Sequence, residues 1–392
     1  MTETILVVNA GSSSLKYALF EQSEELRPLL RGSISSLDEK PRMTVSAGGG
    51  NRTVDIDLND GAINIKQAMN QVIAHLADRD LLRKVTCVGH RIVHGGQHFK
   101  SAVLLDEPTM KQLRELAPLA PMHQPRNIAI IDTVQAVLPS TRQFGCFDTA
   151  FHHTRPQLAK IYGLPRELTD SGMISYGFHG LSYSYIASCL KARFGAEAGG
   201  RVIVAHLGSG ASLCALVNGA SAATTMGFSP LDGLVMSTRS GSIDPGVILH
   251  LLQHRKMAVE HVAHLLQSES GLLGVSGVSG DMQALIASKQ PSANEAIDLF
   301  VYRITQAIGS LAASMSGLDM LVFCAGIGEH SPLIRAKVGE GAGWLGVEID
   351  AQRNSRSDET ISSVDSKVKV LALPTDEERA VAKELRFAFG RP

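Results

Sequence analysis

The stretch VNAGSSSLKYAL at residues 8–19 has a second form, AHLGSGASLCAL, at residues 205–216. In each stretch an apolar segment predicted to be a β-strand enters a turn of glycine, serine and alanine, and a second predicted strand leaves it. Because these residues are small, backbone N–H groups and hydroxyls in such a turn can close around an anionic oxygen. Two such turns facing each other across a cleft would hold a phosphate, which indicates phosphoryl transfer. Either turn taken alone is also compatible with a plain β-hairpin.

The segments around the two stretches follow a similar order. In the first half the pattern predicts strands at 4–9, 14–20, 27–34, 52–58, 84–93 and 141–147, helices at 62–79 and 124–137, and a hairpin tip or loop over 42–51. In the second half it predicts helices at 183–194, 244–266, 292–316 and 376–388, and strands at 201–207, 211–217, 319–324 and 367–373. Duplication of one α/β unit explains this order and places a domain boundary near residue 150.

Length and composition narrow the class of protein. A chain of 392 residues is too long for one ordinary hydrophobic core, so two domains are expected. The net charge of -1 argues against a general binder of nucleic acids or membrane surfaces. No apolar run approaches the ~20 residues of a membrane helix, and the first residues lack the pattern of a signal peptide. The five cysteines never form CxxC, so we expect a reducing, cytoplasmic location without a disulfide framework.

Two basic residues stand where an anion would bind. The first turn is not a Walker A loop, because GxxxxGK[ST] is absent from the sequence and a strand follows the turn. Asn9 and Lys16 flank it with an amide and a positive charge. Arg91 lies between apolar strand residues and a Gly-Gly turn, where burial is costly unless the guanidinium meets a carboxylate or phosphate. A structural salt bridge is the alternative for Arg91.

Four further segments present polar side chains at turns. Asp148 follows a predicted buried strand, at the end where open α/β sheets bind ligands. His179 lies in the turn SYGFHG, where a purely structural histidine is equally compatible. Arg239 lies in a tight turn before a helix that begins near Pro245. The segment 324–330, CAGIGEH, predicts a strand, a glycine turn and a helix that could accept a nucleotide.

Some patterns are set aside as poor indicators of function. His90, His94 and His98 have a spacing that aligns ligands only on a helix, and this segment is predicted to be a strand. The GxGxxG match at 341–346 lacks a strand–turn–helix context, so a dinucleotide site is not expected. Histidines on predicted helices are treated as ordinary surface or packing residues (His250, His254, His261 and His264).

Seven motifs together resemble the acetate kinase family, in order and spacing and over nearly the whole chain. They are VNAGSSSLKY, HRIVHGG, FDTAFH, YGFHG, HLGSGAS, TRSGSIDPG and GIGEH. The resemblance implies a duplicated actin-like (ribonuclease H-like) ATPase fold of two domains with an interdomain cleft. The domains would be 1–150, completed by a C-terminal helix at about 379–392, and 151–378, which would bind nucleotide and form a dimer interface. It further implies reversible, direct in-line transfer of the ATP γ-phosphoryl group to acetate, with Mg²⁺ (or Mn²⁺ as a substitute), in a cytoplasmic homodimer with no nucleic acid or membrane partner.

The resemblance also implies a role for each matching residue. Arg91 and Arg239 would hold the acyl carboxylate and the phosphoryl group, His179 would hydrogen-bond that group, and Asp148 matches the catalytic aspartate. Asn9 and Glu377 match positions near Mg²⁺, and Lys16 matches a contact to the nucleotide phosphates. Val93, Met122 and Pro230 would line the acetate pocket. The nucleotide-binding positions would be His206, Leu207, Gly208, Ser209, Gly210, Asp281, Met282, Gln283, Gly326, Ile327, Gly328, Glu329 and His330.

The chain departs from the family pattern without losing a charged catalytic position. Ser209 replaces the asparagine of HLGNG, and Ser242 replaces the aspartate of RSGDIDP. His330 replaces the asparagine of GIGEN, and Tyr183 replaces a histidine that usually follows FHG. Met122 replaces a common leucine, which nearly conserves volume. These changes bear on nucleotide preference and turnover more than on the class of reaction.

Two alternatives to acetate phosphorylation stay open. A methylene in an apolar pocket changes binding by only about 1–3 kcal/mol, so propionate or another short acyl chain is a rival substrate, although Val93 shortens the pocket. A catalytically silent nucleotide-binding scaffold is the other, and the presence of two arginines suited to an acyl phosphate argues against it. Because acetate is already ionised at neutral pH, Asp148 is expected to position Mg²⁺, its waters or Arg91 rather than to remove a proton.

Overall fold

The computed structural model describes residues 3–11, 14–37, 40–48, 53–58 and 61–389. The chain divides into two compact units, Met1–Phe151 with Asp376–Pro392, and His152–Thr375. Residues 12 and 13 of the first turn, 49–52 around the predicted hairpin tip, and 390–392 of the predicted C-terminal helix lie outside the described residues.

The first unit is built on a mixed eight-stranded sheet. Its strands, numbered in chain order, are β1 (Thr4–Ala10), β2 (Leu15–Glu21), β3 (Pro28–Ser35), β4 (Arg42–Ala47), β5 (Thr53–Asp57), β6 (Val85–Ile92), β7 (Val103–Leu104) and β8 (Arg142–Phe147). Their order in the sheet is β5-β4-β3-β2-β1-β6-β8-β7. The helices of this unit are α1 (Ile65–Ala77), α2 (Glu107–Glu115), α3 (Gln124–Val137) and α14 (Glu377–Phe389).

Burial explains why β1 lies in the middle of this sheet. Every residue of TILVVNA in β1 is buried, as in a strand covered on both faces. On one side of the sheet α1 begins at a capping box, in which Asn64 and Gln67 satisfy each other's backbone N–H groups. On α14, Val381 and Leu385 pack where a side chain at Gly89 of β6 would stand. The glycine therefore lets the C-terminal helix approach the sheet closely.

The second unit contains a five-stranded sheet and most of the helices. Its strands are β9 (Arg201–Leu207), β10 (Ala211–Val217), β11 (Ala220–Thr224), β12 (Met320–Cys324) and β13 (Lys369–Ala372), in the order β11-β10-β9-β12-β13. Its helices are α4 (Arg166–Asp170), α5 (Gly180–Phe194), α6 (Pro245–Gln253), α7 (Val259–Ser268), α8 (Gly271–Ser276), α9 (Met282–Ala287), α10 (Pro291–Ser314), α11 (Ala325–His330), α12 (Pro332–Gly341) and α13 (Ala351–Ser355).

The two sheets share one topology. In the first, β3-β2-β1 form an antiparallel meander, and β6 and then β8 add parallel to β1. In the second, β11-β10-β9 form the meander, and β12 and β13 add parallel to β9. Each glycine-serine turn therefore joins the first two strands of its meander. The predicted α/β fold with a duplicated unit is confirmed.

Three local predictions were wrong. Residues 42–47, expected in a hairpin tip or loop, form β4, which pairs with β3 and β5. The single helix expected over 244–266 is two helices, since Lys256 between α6 and α7 has a left-handed backbone (φ 52°). The glycine turn expected after β12 is itself the short helix α11. In the described part of the chain no helix combines the length and apolar character needed to cross a membrane.

Candidate active site

Three polar side chains of the first unit meet at the carboxyl ends of neighbouring parallel strands. Asn9 on β1 is in register with Arg91 on β6. Asp148 directly follows β8, and its backbone N–H donates to the carbonyl of Ile92, 3.0 Å away. Parallel strands end at the same edge of a sheet, so this register brings the amide, the guanidinium and the carboxylate together.

Arg91 is held in a fixed orientation by this register. Its Nη2 donates to Oδ2 of Asp148 at 2.7 Å, and its Nε lies 3.1 Å from Oδ1 of the same carboxylate. Its Nη1 donates to Oδ1 of Asn9 at 2.9 Å. Burial alone would lower the pKa of the guanidinium, but the carboxylates of Asp148 and Glu377 raise the pKa above its usual value. The ion pair considered as an alternative is thus present, and the Arg91 side chain remains 15% exposed.

Two adjacent acids at the start of α14 complete this cluster. Nδ2 of Asn9 donates to Oε2 of Glu377 at 3.0 Å and to Oε1 of Glu378 at 2.7 Å. Burial raises the pKa of Glu378, and the neighbouring charge of Glu377 raises it further. Of these two acids only Glu377 was predicted from the sequence, although the adjacent glutamates at 377–378 are visible there. A cation beside these carboxylates would relieve their mutual repulsion.

The other predicted residues of the first unit differ in exposure. Lys16 is exposed and in register with Asn9 across the β1–β2 hairpin. Gly11 closes the described part of that turn by donating to the carbonyl of Ser14 at 2.8 Å. Val93 is buried, whereas Met122 is 51% exposed. A role for Met122 in a closed apolar pocket thus stays a prediction.

Asn127 on α3 was missed by the sequence analysis. Its Nδ2 donates to the carbonyl of Arg91 and its Oδ1 accepts from the N–H of Val93, both at 3.2 Å. This single side chain therefore satisfies the backbone on both sides of Ile92. Nothing in its local sequence distinguishes it from other helical asparagines.

The histidines considered as metal ligands have other contacts: His90 bonds to Gln143 at 2.7 Å, and His94 accepts from Gly96.

In the second unit, His179 and Arg239 approach the second glycine-serine turn. A Cβ atom added to Gly210 would lie 2.9 Å from Nη2 of Arg239 and 3.3 Å from Nε2 of His179. His179 occupies the left-handed region (φ 57°) just before α5. Its ring stacks on that of His206, with ring centres 4.2 Å apart. The turn, a guanidinium and two imidazoles therefore surround one small space, as an anion site requires.

Arg239 is oriented by a backbone carbonyl. Its Nη1 donates to the carbonyl of Pro230 at 2.7 Å. Ser242, which replaces the family's aspartate, instead donates to Oδ1 of Asp232 at 2.6 Å. An aspartate at 242 would place two carboxylates side by side, so the serine suits the local charge. At this position the serine hydroxyl therefore forms a hydrogen bond to the Asp232 carboxylate.

Two of the segments predicted to bind nucleotide are shaped by local hydrogen bonds and close backbone approaches. Asp281 caps α9 by accepting from the N–H of Ala284 at 2.8 Å. The carbonyl of Ser209 accepts from Ser237 at 3.1 Å, and a Cβ atom on Gly280 would lie 2.8 Å from the carbonyl of Ser237. The second turn and the segment before α9 therefore share one backbone neighbour. Met282 is buried and Gln283 is exposed, so Gln283 is the better placed of the two to meet a ligand.

The third segment predicted to bind nucleotide, α11, is held by two charged side chains. Oε1 of Glu329 accepts from the N–H groups of Ala325 at 2.9 Å and Thr375 at 3.0 Å. The fully buried Arg335 donates to the carbonyls of Gly328 and Glu329. His330 is 71% exposed. Glu329 therefore acts on the protein backbone, and Arg335 is a supporting residue that sequence patterns did not reveal.

Replacing Gly210 by alanine is predicted to weaken nucleotide binding. The new Cβ atom would fill the space between Arg239 and His179. Gly210 has no left-handed backbone, so the change adds no backbone strain. We expect KM for ATP to rise by about tenfold, a loss of about 1.4 kcal/mol, with little change in Tm. Steady-state kinetics and thermal unfolding measure the two effects.

Gly163→Ala is the matched control for this substitution. A Cβ atom there would meet no atom within 4 Å. This variant should keep the KM for ATP of the parent. Equal values of KM for ATP in both variants and the parent would show that no ligand occupies the space beside Gly210.

Glu384 on α14 predicts a pH-dependent stability of the protein. Burial raises the pKa of Glu384 to about 7, and the charge of Asp148 raises it as well. The folded state therefore holds a proton that the unfolded state releases at lower pH, and the resulting stability is full below pH ~4.5 and is lost as pH rises through ~7. We expect Glu384→Gln to raise the free energy of unfolding by about 1–3 kcal/mol at pH 8 and to change it little at pH 5.

Urea denaturation at the two pH values measures this difference. Glu24→Gln is the control, since Glu24 is almost fully exposed. It should shift the midpoint at neither pH. A Glu384→Gln variant with equal gains at pH 5 and pH 8 would contradict the assignment of a buried, protonated carboxyl.

Comparison with known proteins finds one family and several solved structures that are similar to this chain. The family model described as the acetokinase family matches residues 4–383. An acetate kinase from Rhodopseudomonas palustris is 48% identical, covering 100% of each chain. Among solved structures, a propionate kinase from Francisella tularensis is 35% identical with a TM-score of 0.90, covering 97% of this chain and 98% of its own. An acetate kinase from Porphyromonas gingivalis is 34% identical with a TM-score of 0.86, covering 99% and 100%.

Proposed function

Because this chain belongs to the acetokinase family, we propose that it is an acetate kinase, which transfers the γ-phosphoryl group of ATP to acetate and reverses the reaction with ADP. The observation that carries this proposal is the orientation of Arg91. Asp148 and Asn9 fix its guanidinium at the carboxyl ends of the strands, and part of the side chain remains exposed. A planar guanidinium group held in this way can form two parallel hydrogen bonds to a carboxylate substrate.

The charges of these residues favour a direct, in-line transfer without a general base. Acetate has a pKa of about 4–5, like aspartate and glutamate side chains, so it is a nucleophile at neutral pH. Catalysis then requires alignment and neutralisation of charge on the phosphoryl oxygens. Asp148 is buried and turned toward Arg91, which fits a residue that positions the guanidinium.

The second unit is proposed to hold the nucleotide and the transferring group. Arg239 and His179 lie beside Gly210 and would contact the phosphoryl oxygens as their charge shifts. The segments 206–210, 281–283 and 326–330 would bind the nucleotide, and Lys16 would contact its phosphates. Pro230 would line the acyl pocket with Val93 and Met122.

The acids at the start of α14 fit a magnesium ion. Mg²⁺ prefers oxygen ligands and is commonly held by one or two carboxylates together with phosphates and waters. Glu377 and Glu378 supply adjacent carboxylates, and Asn9 bonds to both. When bound, the ion would neutralise charge on the nucleotide phosphates. Mn²⁺ has similar ligand preferences and is a possible substitute.

We also propose a cytoplasmic homodimer without nucleic-acid or membrane partners. The surface of α6 supports self-association through the second unit. None of its residues is buried, although the sequence PGVILHLLQ is strongly apolar. Val247 and Leu249 are 49% and 52% exposed. An apolar helix left open in this way is typical of an oligomer interface.

Propionate is the second candidate substrate. The solved structure with a TM-score of 0.90 is a propionate kinase, so the fold accommodates both activities. Val93 is buried, and its predicted place in the acyl pocket would favour the shorter acyl chain. One methylene changes the discrimination by about 1–3 kcal/mol, which corresponds to a ratio of about 10–200 in kcat/KM.

A hydroxamate assay with MgATP and acetate, propionate or butyrate tests this proposal. We expect the highest kcat/KM with acetate. A higher value with propionate would identify a propionate kinase instead. The absence of turnover on all three acids would leave a nucleotide-binding scaffold as the remaining interpretation.

A further inference from the structure

The two stacked histidines of the second unit each contact a buried serine. Nδ1 of His179 lies 2.8 Å from Oγ of Ser212, and Nδ1 of His206 lies 2.8 Å from Oγ of Ser182. Both serines are fully buried. Neither serine was singled out in the sequence.

Each serine has a second hydroxyl partner. Oη of Tyr183 lies 2.5 Å from Oγ of Ser212, and Oγ1 of Thr375 lies 2.7 Å from Oγ of Ser182. The two imidazoles are therefore connected to two parallel chains of hydroxyl groups. Tyr183 is fully buried and occupies the position where the family pattern has a histidine.

The number of protons limits how these chains can be arranged. A serine hydroxyl has one hydrogen, so Ser212 can donate either to His179 or to Tyr183. If Tyr183 donates to Ser212, the serine donates to Nδ1, and the neutral imidazole carries its hydrogen on Nε2. If Ser212 donates to Tyr183, the hydrogen lies on Nδ1 and Nε2 presents a lone pair.

The first arrangement is the one that suits the site. A phenol, with a pKa near 10, is a much stronger acid than an alcohol and therefore the better donor of the pair. Nε2 of His179 approaches Gly210 beside Nη2 of Arg239. An anionic oxygen there requires N–H donors from both side chains, whereas a lone pair on Nε2 would repel it.

We propose that Ser212 is a positioning residue that holds His179 in the Nε2–H form, with Tyr183 as the donor that orients the serine. This inference rests on the proposed function, since it gives His179 an anion to contact. It explains how the chain keeps a phosphate-facing donor at neutral pH without needing a charged imidazole.

Nitrogen NMR of the full-length chain labelled with ¹⁵N-histidine tests this proposal. Spectra are recorded at neutral pH on the free protein and with MgADP, acetate and aluminium fluoride as a mimic of the phosphoryl group. The variants His179→Gln and His206→Gln assign the signals by their loss. We expect Nε2 to carry the hydrogen and Nδ1 to lack one in the His179 ring.

Ser212→Ala should change both the tautomer and the rate. We expect His179 to show hydrogen on Nδ1 and kcat to fall by about tenfold or more, with KM for ATP nearly unchanged. Tyr183→Phe keeps the ring and removes the hydroxyl, so it should produce a smaller change in the same direction. It also serves if Ser212→Ala folds poorly.

Ser221→Ala is the matched control. Ser221 is equally buried and lies 2.8 Å from Nδ1 of His152, whose Nε2 lies 2.8 Å from the carbonyl of Phe178. This variant should leave the His179 signals and kcat unchanged.

Three results would overturn the proposal. They are hydrogen on Nδ1 of His179 in the parent protein with ligands bound, a doubly protonated His179 ring at neutral pH, or normal kcat in Ser212→Ala despite a changed tautomer. Because the NMR signals do not depend on turnover, a parent protein with His179 in the Nε2–H form and no acetate kinase activity would count against the proposed function alone.

Discussion

Replacement of Arg91 by alanine is expected to lower kcat by about 10³-fold, a loss of about 4 kcal/mol in transition-state stabilisation. The guanidinium is fixed by Asp148 and Asn9, so its donors are already oriented when the substrate arrives. Preorganised donors of this kind need no reorganisation during the reaction, which is why their loss is costly. Steady-state kinetics with acetate and MgATP measure the effect, and KM for acetate should rise as well.

The same change should also destabilise the first unit. Asp148 is 1% exposed and would lose the guanidinium 2.7 Å away, and Glu377 would lose a cation 3.4 Å away. Removal of one member of a buried ion pair typically costs about 3–5 kcal/mol. Arg91→Lys separates the effect on activity from the effect on stability, because lysine keeps the positive charge and lacks the planar guanidinium group. We expect this variant to retain most of the Tm and still lose about 10–100-fold in kcat.

Arg83→Ala is the control for the Arg91 variants. Arg83 is 86% exposed and pairs only loosely with Asp80, at 3.3 Å. This variant should keep the kcat and the Tm of the parent. Near-normal kcat in a folded Arg91→Ala protein would contradict the electrostatic mechanism and leave Arg91 as a structural residue.

The part of this site that could be predicted from sequence follows from local rules. Apolar runs and small-residue turns predicted the two hairpins, because side-chain period and turn chemistry are encoded within a few residues. The rule that open α/β sheets bind ligands at the ends of their strands predicted a functional place for Asp148, whereas only the resemblance brought Asn9 and Arg91 to the same site. Arg91 was one of three groups that Asp148 was expected to position, and the register between β6 and β8 brings the two residues together.

The supporting contacts could not be predicted because their partners are distant in sequence. Tyr183 and Ser212 are 29 residues apart, and Ser182 and Thr375 are 193 residues apart. Buried serines and threonines have no local signature that distinguishes them from exposed ones.

The break between α6 and α7 was missed for another reason. Apolar positions recur through most of residues 244–266, but residues 254–258 lie outside both helices, and Lys256 among them has a left-handed backbone.

Replacement of Arg239 by alanine is expected to lower kcat by about 10²–10³-fold with little loss of stability. Arg239 is only half-buried, and one of the contacts that orient it is a hydrogen bond to the neutral carbonyl of Pro230. Its Nη2 lies beside Gly210, where the transferring group is proposed to lie. Because this charge would act mainly in the transition state, kcat should fall more than KM for ATP rises.

The variants of Arg91 and Arg239 are expected to differ in stability. Arg91→Ala should lose both activity and stability, whereas Arg239→Ala should lose activity and keep a Tm within a few degrees of the parent. Arg193→Ala is the control in the same unit, since Arg193 forms a half-exposed pair with Glu359 at 3.0 Å and should affect neither quantity. An Arg239→Ala protein with normal kcat would show that phosphoryl charge is neutralised elsewhere. One that unfolds as readily as Arg91→Ala would show instead that Arg239 serves the fold of the 225–242 segment.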